Sequence, residues 1–381
     1  MRRFDKRGKS MKRNQYNRTL PVFYLLKENL EQFGNYLPPG HTHVFLSTAS
    51  GGIKLAIRAL KWSSQDEILL PSYLCPSILR PLREEGVNYK FFKVKEDLAV
   101  DIEDVKERIS DNTKALFIIH YFGFPQPIEE IVELCKDEHL VLIEDCAQAF
   151  LSKYNDKLLG SFGDFSIFSY RKTLPVPDGA LLACNNPSIT SLKVEKRTDF
   201  IHLLYSIMET NVLLLTDIFA HFNFIFPIPL LGGMSHLNKK LMTIYYKPTS
   251  PSYISQLLLH KFNFEEIISI KRNNFKYMLE HLNIRDMKPL YSELPEGVCP
   301  LWFPILTENR DNVRKWLKRR GISTPVFWKL PPEIDKTEFR ESWEISGQIL
   351  SIPLGSIRPI NMPSIIEILS ELSKSYERKK N

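Results

Sequence analysis

Short β-rich apolar runs alternate with stretches of helical period through the first half of the chain. HVFLST (43–48) reads as a strand. It is followed by SGG and a helix over 53–62, with Ile53, Ala56, Ile57 and Leu60 on one face. DEILLPSY (66–73) and VNYKFFKV (87–94) are the next strands, separated by a helix around SILRPLREEG (77–86). TKALFIIHYFG (113–123) is a buried strand that ends at Gly123, PIEEIVELCKDEHL (127–140) is a helix, and VLIEDCAQA (141–149) is a strand running into a turn. GDFSIFSY (163–170) and GALLACNN (179–186) follow as strands. Strand and helix repeating in this way predict an α/β fold, a mostly parallel sheet covered by helices on both faces. Ligands in such sheets lie off the carboxyl ends of the strands, so SGG, PSY, HYFG, EDCAQ and SYRK should meet in one crevice.

The second half changes character. Residues 201–233 are the most apolar stretch; Glu209 and Asp217 interrupt it, and Pro227 and Pro229 break any helix through its second part. We read it as a helical hairpin packed on the domain or in a dimer interface, with membrane-surface contact as the alternative to that packing. After KPTSP (247–251) the pattern gives a long helix over 252–284, a strand at CPLWFPIL (299–306) and a helix at NRDNVRKWLKRRG (309–321). A short strand at ISTPVFW (322–328) and a closing helix from Pro363 to about Lys374 complete it. The division expected is a basic tail (1–18), a large α/β domain (19–250, with an apolar insertion over 187–246) and a smaller α+β domain (251–381).

Charge and cysteine content change this picture in two places. The net charge of +7 sits in the tail, where residues 1–18 hold eight Lys/Arg against Asp5 and leave the rest of the chain balanced. That removes a nucleic-acid surface as the reading of the charge; the tail is a solvated segment, or an anionic-surface contact in the membrane alternative. Five scattered cysteines with no CxxC pair speak against a disulfide framework and against a metal site, and fit a reducing, cytoplasmic compartment.

Three features bear chemistry. Glu144 and Asp145 end a hydrophobic strand, which would not carry two adjacent carboxylates unless one had a buried partner. Lys172 lies just past another strand, where a desolvated amine can form a Schiff base. SGG opens a helix whose amides can hold a phosphate. Phosphate site, carboxylate for a pyridinium nitrogen and lysine for an aldehyde are what pyridoxal phosphate requires of a protein. Taken singly, each has a plainer reading: a surface glutamate, a capping aspartate, a solvated lysine.

These segments, from about Phe45 to Asn186, resemble the DegT/DnrJ/EryC1/StrS family of pyridoxal-phosphate aminotransferases, and more weakly so do ISQLLLHKF, LWFPIL and RKWLKRRGIST. The subgroup closest in pattern is the one written RKTLPVPDG at the lysine segment. The resemblance implies the type I (aspartate-aminotransferase-like) fold and a homodimer. It also implies transfer of an amino group from an amino acid, by family habit glutamate, to a keto group of a sugar nucleotide in surface-polysaccharide or secondary-metabolite synthesis. It carries the cofactor-bonding lysine to Lys172, the pyridine-nitrogen partner to Asp145 and the residue near the cofactor's O3′ to Gln148. Phosphate contacts carry to Ser50, Gly51, Gly52 and Ser169. Tyr73 stands in for an aromatic that stacks on the ring where this chain has Cys75. His120 and Arg171 are candidate substrate contacts; a bracing histidine and an ion-pair arginine are their plainer readings. The chain departs from the family in having Lys172 three residues after Ser169 where five are usual, and PDGA (177–180) in place of GEGG. Two alternatives to a transferase remain: a dehydratase, which in the family goes with histidine in place of the lysine, and a catalytically silent scaffold.

Overall fold

The computed structural model describes residues 33–187, 189, 192–194, 248–357 and 360–380. The basic tail and the apolar stretch 201–233 lie outside these residues. In chain order the strands are β1 (Thr42–Leu46), β2 (Glu67–Pro71), β3 (Asn88–Phe92), β4 (Thr113–Ile119), β5 (Val141–Asp145), β6 (Lys153–Tyr154), β7 (Lys157–Leu158), β8 (Phe165–Ser169), β9 (Ala180–Cys184), β10 (Lys288–Pro289), β11 (Phe303–Leu306) and β12 (Ile349–Ile352). Between the early strands lie α1 (Ala49–Ala59), α2 (Leu79–Glu84), α3 (Ile102–Arg108) and α4 (Ile128–Asp137), and after β8 a single turn, α5 (Tyr170–Thr173).

Seven strands form one sheet in the order β1-β9-β8-β5-β4-β2-β3. β2 is parallel to β3 and β4, β4 to β5, and β5 to β8, whereas β9 runs antiparallel to both its neighbours, β8 and β1. The mostly parallel sheet expected from the sequence is therefore present. Helices on both faces explain why β2 and β9 are buried along their whole length and read as continuous apolar runs rather than alternating ones. α1 begins four residues earlier than its apolar period suggests, because Thr48 caps it with a side chain that accepts from the Gly51 amide. Gly52 sets α1 against the sheet: a Cβ there would meet Ile167, Leu46 and Leu182 at 3.4–3.7 Å.

The remaining part is an antiparallel sheet, β10-β11-β12, with helices Tyr253–Leu259, Phe264–His281, Arg310–Arg319, Arg340–Gln348 and Met362–Lys380. Two expectations are corrected here. The helix over 252–284 is two helices, broken at 260–263 where Asn263 leaves helical geometry to cap the second by accepting from the Glu266 amide at 3.2 Å. ISTPVFW is not a strand; Pro325 has no amide to offer a ladder, and the place beside β11 is taken by β12.

Two close approaches hold the parts together. Leu301 donates its amide to the Phe122 carbonyl at 2.8 Å, and Gly123, at φ +96°, leaves no room beside it: a Cβ would lie 2.5 Å from the Cys299 carbonyl oxygen. Gly123→Ala combines that clash with a left-handed backbone. It should lower stability by at least ~1–3 kcal/mol, read as a lower denaturant midpoint with an unchanged slope.

Candidate active site

The parallel strands bring their carboxyl ends to one edge of the sheet. β4 and β5 pair with Ile119 opposite Asp145, and β5 pairs with β8 with Asp145 opposite Ile167. Asp145 thus ends one strand while Lys172 stands on α5, the turn directly after the adjacent strand. Asp145 is 7% exposed and Oδ1 accepts the Ala147 amide at 2.8 Å. Burial holds its carboxyl above the usual carboxylate range; the Lys172 cation, the Ala147 amide and His120 pull in the other direction without cancelling it. A buried carboxyl with one amide donor is an environment that a cation brought against it would relieve.

Glu144 does something the sequence alone does not reveal. The plain reading of a surface-pointing glutamate is wrong: the side chain is fully buried and surrounded by donors. Oε1 accepts the amides of Phe162 (2.9 Å) and Gly163 (2.6 Å), and Oε2 accepts the Gly160 amide (3.0 Å) and lies 3.0 Å from His120 Nε2. His120 Nδ1 accepts the Gln126 amide at 3.2 Å, so Nε2 carries the ring proton and donates to Glu144. Both His120 nitrogens are engaged inside the protein. Glu144, His120 and Cys146 offer ligand atoms within 4.8 Å of one another. Burial pushes the Cys146 thiol well up, the His120 lone pair is taken by Gln126, and Glu144 already holds the 160–163 turn. That turn leads into β8 and so aims Lys172. Glu144→Gln would turn an NH₂ toward two donors, at a cost of at least ~1–3 kcal/mol. A reduced thermal midpoint in the cofactor-free protein would register it; an unchanged one would contradict the assignment.

Gln148 is fixed by its carbonyl end, where Oε1 accepts the Phe122 amide at 2.7 Å. Its Nε2 is buried with no partner among the described residues, a donor aimed at something else. At the α1 end, the Gly51 amide is bonded to Thr48 Oγ1 (3.2 Å) and the Gly52 amide to the Thr48 carbonyl (3.3 Å). The helix terminus therefore offers an anion mainly the Ala49 and Ser50 amides. Ser169, the last residue of β8, makes no capping bond with its side chain. Arg171 is half-buried beside Lys172. Tyr73 is fully buried, its ring 5.7 Å from Tyr121 and 5.6 Å from Trp328, and Cys75 is half-buried with Sγ 3.0 Å from Ser77 Oγ.

The lysine segment is tied down behind the site. Gly179, at φ +125°, accepts the Tyr170 amide at 3.1 Å and donates its own amide to the Ser47 carbonyl at 3.0 Å. Asp178 is buried and accepts the amide (3.0 Å) and hydroxyl (2.7 Å) of Ser252 and the Ser255 hydroxyl. PDGA is thus an anchored loop between the lysine and β9. Trp328, which sequence reasoning gave no role, closes the other side: the Lys172 ammonium lies 5.8 Å from its ring centroid.

A buried unpartnered amide donor, a buried carboxyl relieved by a cation, an amine and a helix terminus are a donor set that fits pyridoxal phosphate. The fold is shared with a putative sugar aminotransferase from Streptococcus pneumoniae, in its PLP form, which superimposes with a TM-score of 0.67 at 13% identity over 91% of this chain and 90% of that one. The stretch 26–195, less than half of the chain, matches the model of the DegT/DnrJ/EryC1/StrS aminotransferase family. It is similar to GDP-perosamine synthase of Escherichia coli O157:H7, 32% identical over 166 residues, 42% of this chain and 46% of the relative. It is also similar to GDP-4-keto-6-deoxy-D-mannose 3-dehydratase of Escherichia coli O55:H7, 28% identical over 155 residues, 38% of this chain and 40% of the relative. The chain thus matches less than half the length of either.

Proposed function

We propose that this chain is a pyridoxal-phosphate-dependent aminotransferase that moves an amino group from an amino acid, with glutamate as donor, to a keto group of a nucleotide-linked sugar. The observation that carries it is the convergence of Lys172, Asp145 and the unpartnered Gln148 amide at the carboxyl ends of adjacent parallel strands. Lys172 would hold the cofactor and Asp145 would face its ring nitrogen. Gln148 would donate to its O3′, and the Ser50 amide at the α1 end, with Ser169, would take its phosphate. Bound there, the cofactor supplies an electron sink for a carbanion. Lys172 Nζ takes and returns the proton at the substrate carbon, and Asp145 keeps the ring-nitrogen proton in place. The family's active sites form between subunits, which supports a homodimer, and the free cysteines suit a cytoplasmic setting. Among the described residues no helix is long and apolar enough to cross a membrane.

One relative is named as a dehydratase, so the reactions must be separated. Lys172 supports amino transfer, since the family's dehydratases carry histidine there. The test supplies the protein with pyridoxal phosphate, ¹⁵N-glutamate and a panel of GDP-, dTDP- and UDP-linked keto sugars, read by mass spectrometry. Incorporation of ¹⁵N into a sugar is the expected result. Loss of oxygen without nitrogen would establish dehydration instead, and no change in any sugar together with no cofactor absorbance would establish a silent protein.

A further inference from the structure

A buried cation stands outside the site. Lys271 is 3% exposed on the helix Phe264–His281, and no carboxylate pairs with it among the described residues. Burial pulls its ammonium down to about 8, so a charge is costly to keep there. What the ammonium holds is one backbone carbonyl, that of Leu301, at 3.0 Å. The same stretch of backbone is gripped from two further sides. Arg272 donates to the carbonyls of Pro295 (3.0 Å) and Val298 (2.6 Å), and the Ser152 hydroxyl accepts the Cys299 amide at 3.0 Å. This stretch reaches the site through Phe122. The Leu301 amide donates to the Phe122 carbonyl at 2.8 Å, and the Phe122 amide donates to Gln148 Oε1 at 2.7 Å. Phe122 is fully buried at φ 55°, ψ 12°, a left-handed backbone that a phenylalanine keeps only where its surroundings hold it. Three consecutive hydrogen bonds thus run from Lys271 to the carbonyl end of the Gln148 amide.

We propose that Lys271 is a positioning residue for Gln148. It fixes Leu301, Leu301 holds Phe122 in its left-handed conformation, and the Phe122 amide keeps the oxygen of Gln148 turned inward, so that Nε2 remains the free donor. The terminal torsion of a glutamine is broad and roughly two-fold, so without the Phe122 amide its oxygen and nitrogen can exchange places. An oxygen presented to the O3′ of a cofactor repels it where Nε2 binds it. The buried cation is therefore kept for the loop it holds, and the loop for the amide it orients.

The proposal rests on the reading of Gln148 as a donor to the cofactor, and the first arm of its test stands apart from that reading. In the full chain without cofactor, labelled with ¹⁵N at glutamine, the Gln148 side-chain amide signal is identified by its loss in Gln148→Ala. Lys271→Met removes the donor and keeps the length of the stem. It should shift or broaden the Gln148 signal and leave that of Gln126 in place, since Gln126 is buried but held by Leu98, Val100 and Ile119. The second arm is equilibrium binding of pyridoxal phosphate. Lys271→Met and Gln148→Ala should each raise Kd about fivefold, the loss of one hydrogen bond, and the double variant by no more than either alone. Lys271→Gln, which can still donate through a shorter stem, should fall between parent and Lys271→Met, and serves if the methionine variant does not fold. An unmoved Gln148 signal, or a double variant whose loss is the product of the two single losses, would show that Lys271 serves the fold at large and would overturn the proposal. A moved signal in a protein that binds no pyridoxal phosphate, or binds it as well without Gln148, would leave this inference standing and fault the proposed function; pyridoxal phosphate bound through Gln148 with an unmoved signal would do the reverse.

Discussion

Lys172→Ala should lose turnover by at least roughly 10²–10⁴-fold, the range for removal of a positioned proton-transfer group. The covalent role of the amine adds to that loss. The neighbouring lysines in sequence, Lys157 on the hairpin β6–β7 and Lys193, are both exposed. Lys172 follows Ser169 by three residues on the single turn α5, into which β8 runs directly, and the anchored Pro177–Gly179 loop returns the chain to β9. The loss should appear in kcat with the thermal midpoint of the cofactor-free protein little altered. Turnover near that of the parent would show that another amine does the work.

Asp145→Asn should have an effect of comparable size on turnover and should raise stability at neutral pH. A neutral amide can still accept the Ala147 amide, so the fold is kept, but it cannot hold a proton on the ring nitrogen of a bound cofactor. Burial raises the Asp145 carboxyl above its ordinary value in the folded protein, so between the ordinary and the raised value the native state binds more protons than the unfolded chain. Stability therefore falls as pH rises through that window, and at neutral pH the ionised carboxyl is a liability that asparagine removes. The cofactor-free variant should melt higher than the parent at pH 7, with the gain vanishing at pH values below the ordinary carboxylate range. A variant that melts lower at pH 7 would show that Asp145 stabilises the fold and is not held there for a ligand.

Why some of this site was legible and some not follows from where each residue's partners lie. Asp145 ends β5, and Gln148 and Lys172 lie three residues past the ends of β5 and β8; the alternation of strand and helix is enough to bring strand ends together. Glu144 belongs to the same motif, yet its four donors come from His120 and from the 160–163 turn, so its bracing role appears only with the tertiary fold. SGG reads as a turn ahead of a helix over 53–62, but it lies inside the first turns of α1, where Thr48, well before the apolar period begins, decides which amides remain available. Trp328 lies in a run that reads as a strand; what gives it a part in the site is Ser346 behind it and Tyr73 beside it, neither of which any local pattern indicates. The break at 260–263 was hidden because the apolar period continues through it, while the cap that causes it is one asparagine.

The account stands on one covalent assignment, and one measurement reaches it directly. The full chain is loaded with pyridoxal phosphate, reduced with borohydride, digested and mapped by mass spectrometry. A pyridoxyl label on Lys172, absent from the Lys172→Ala protein, is the predicted result; a label on Lys157 or elsewhere, or none at all, would contradict it.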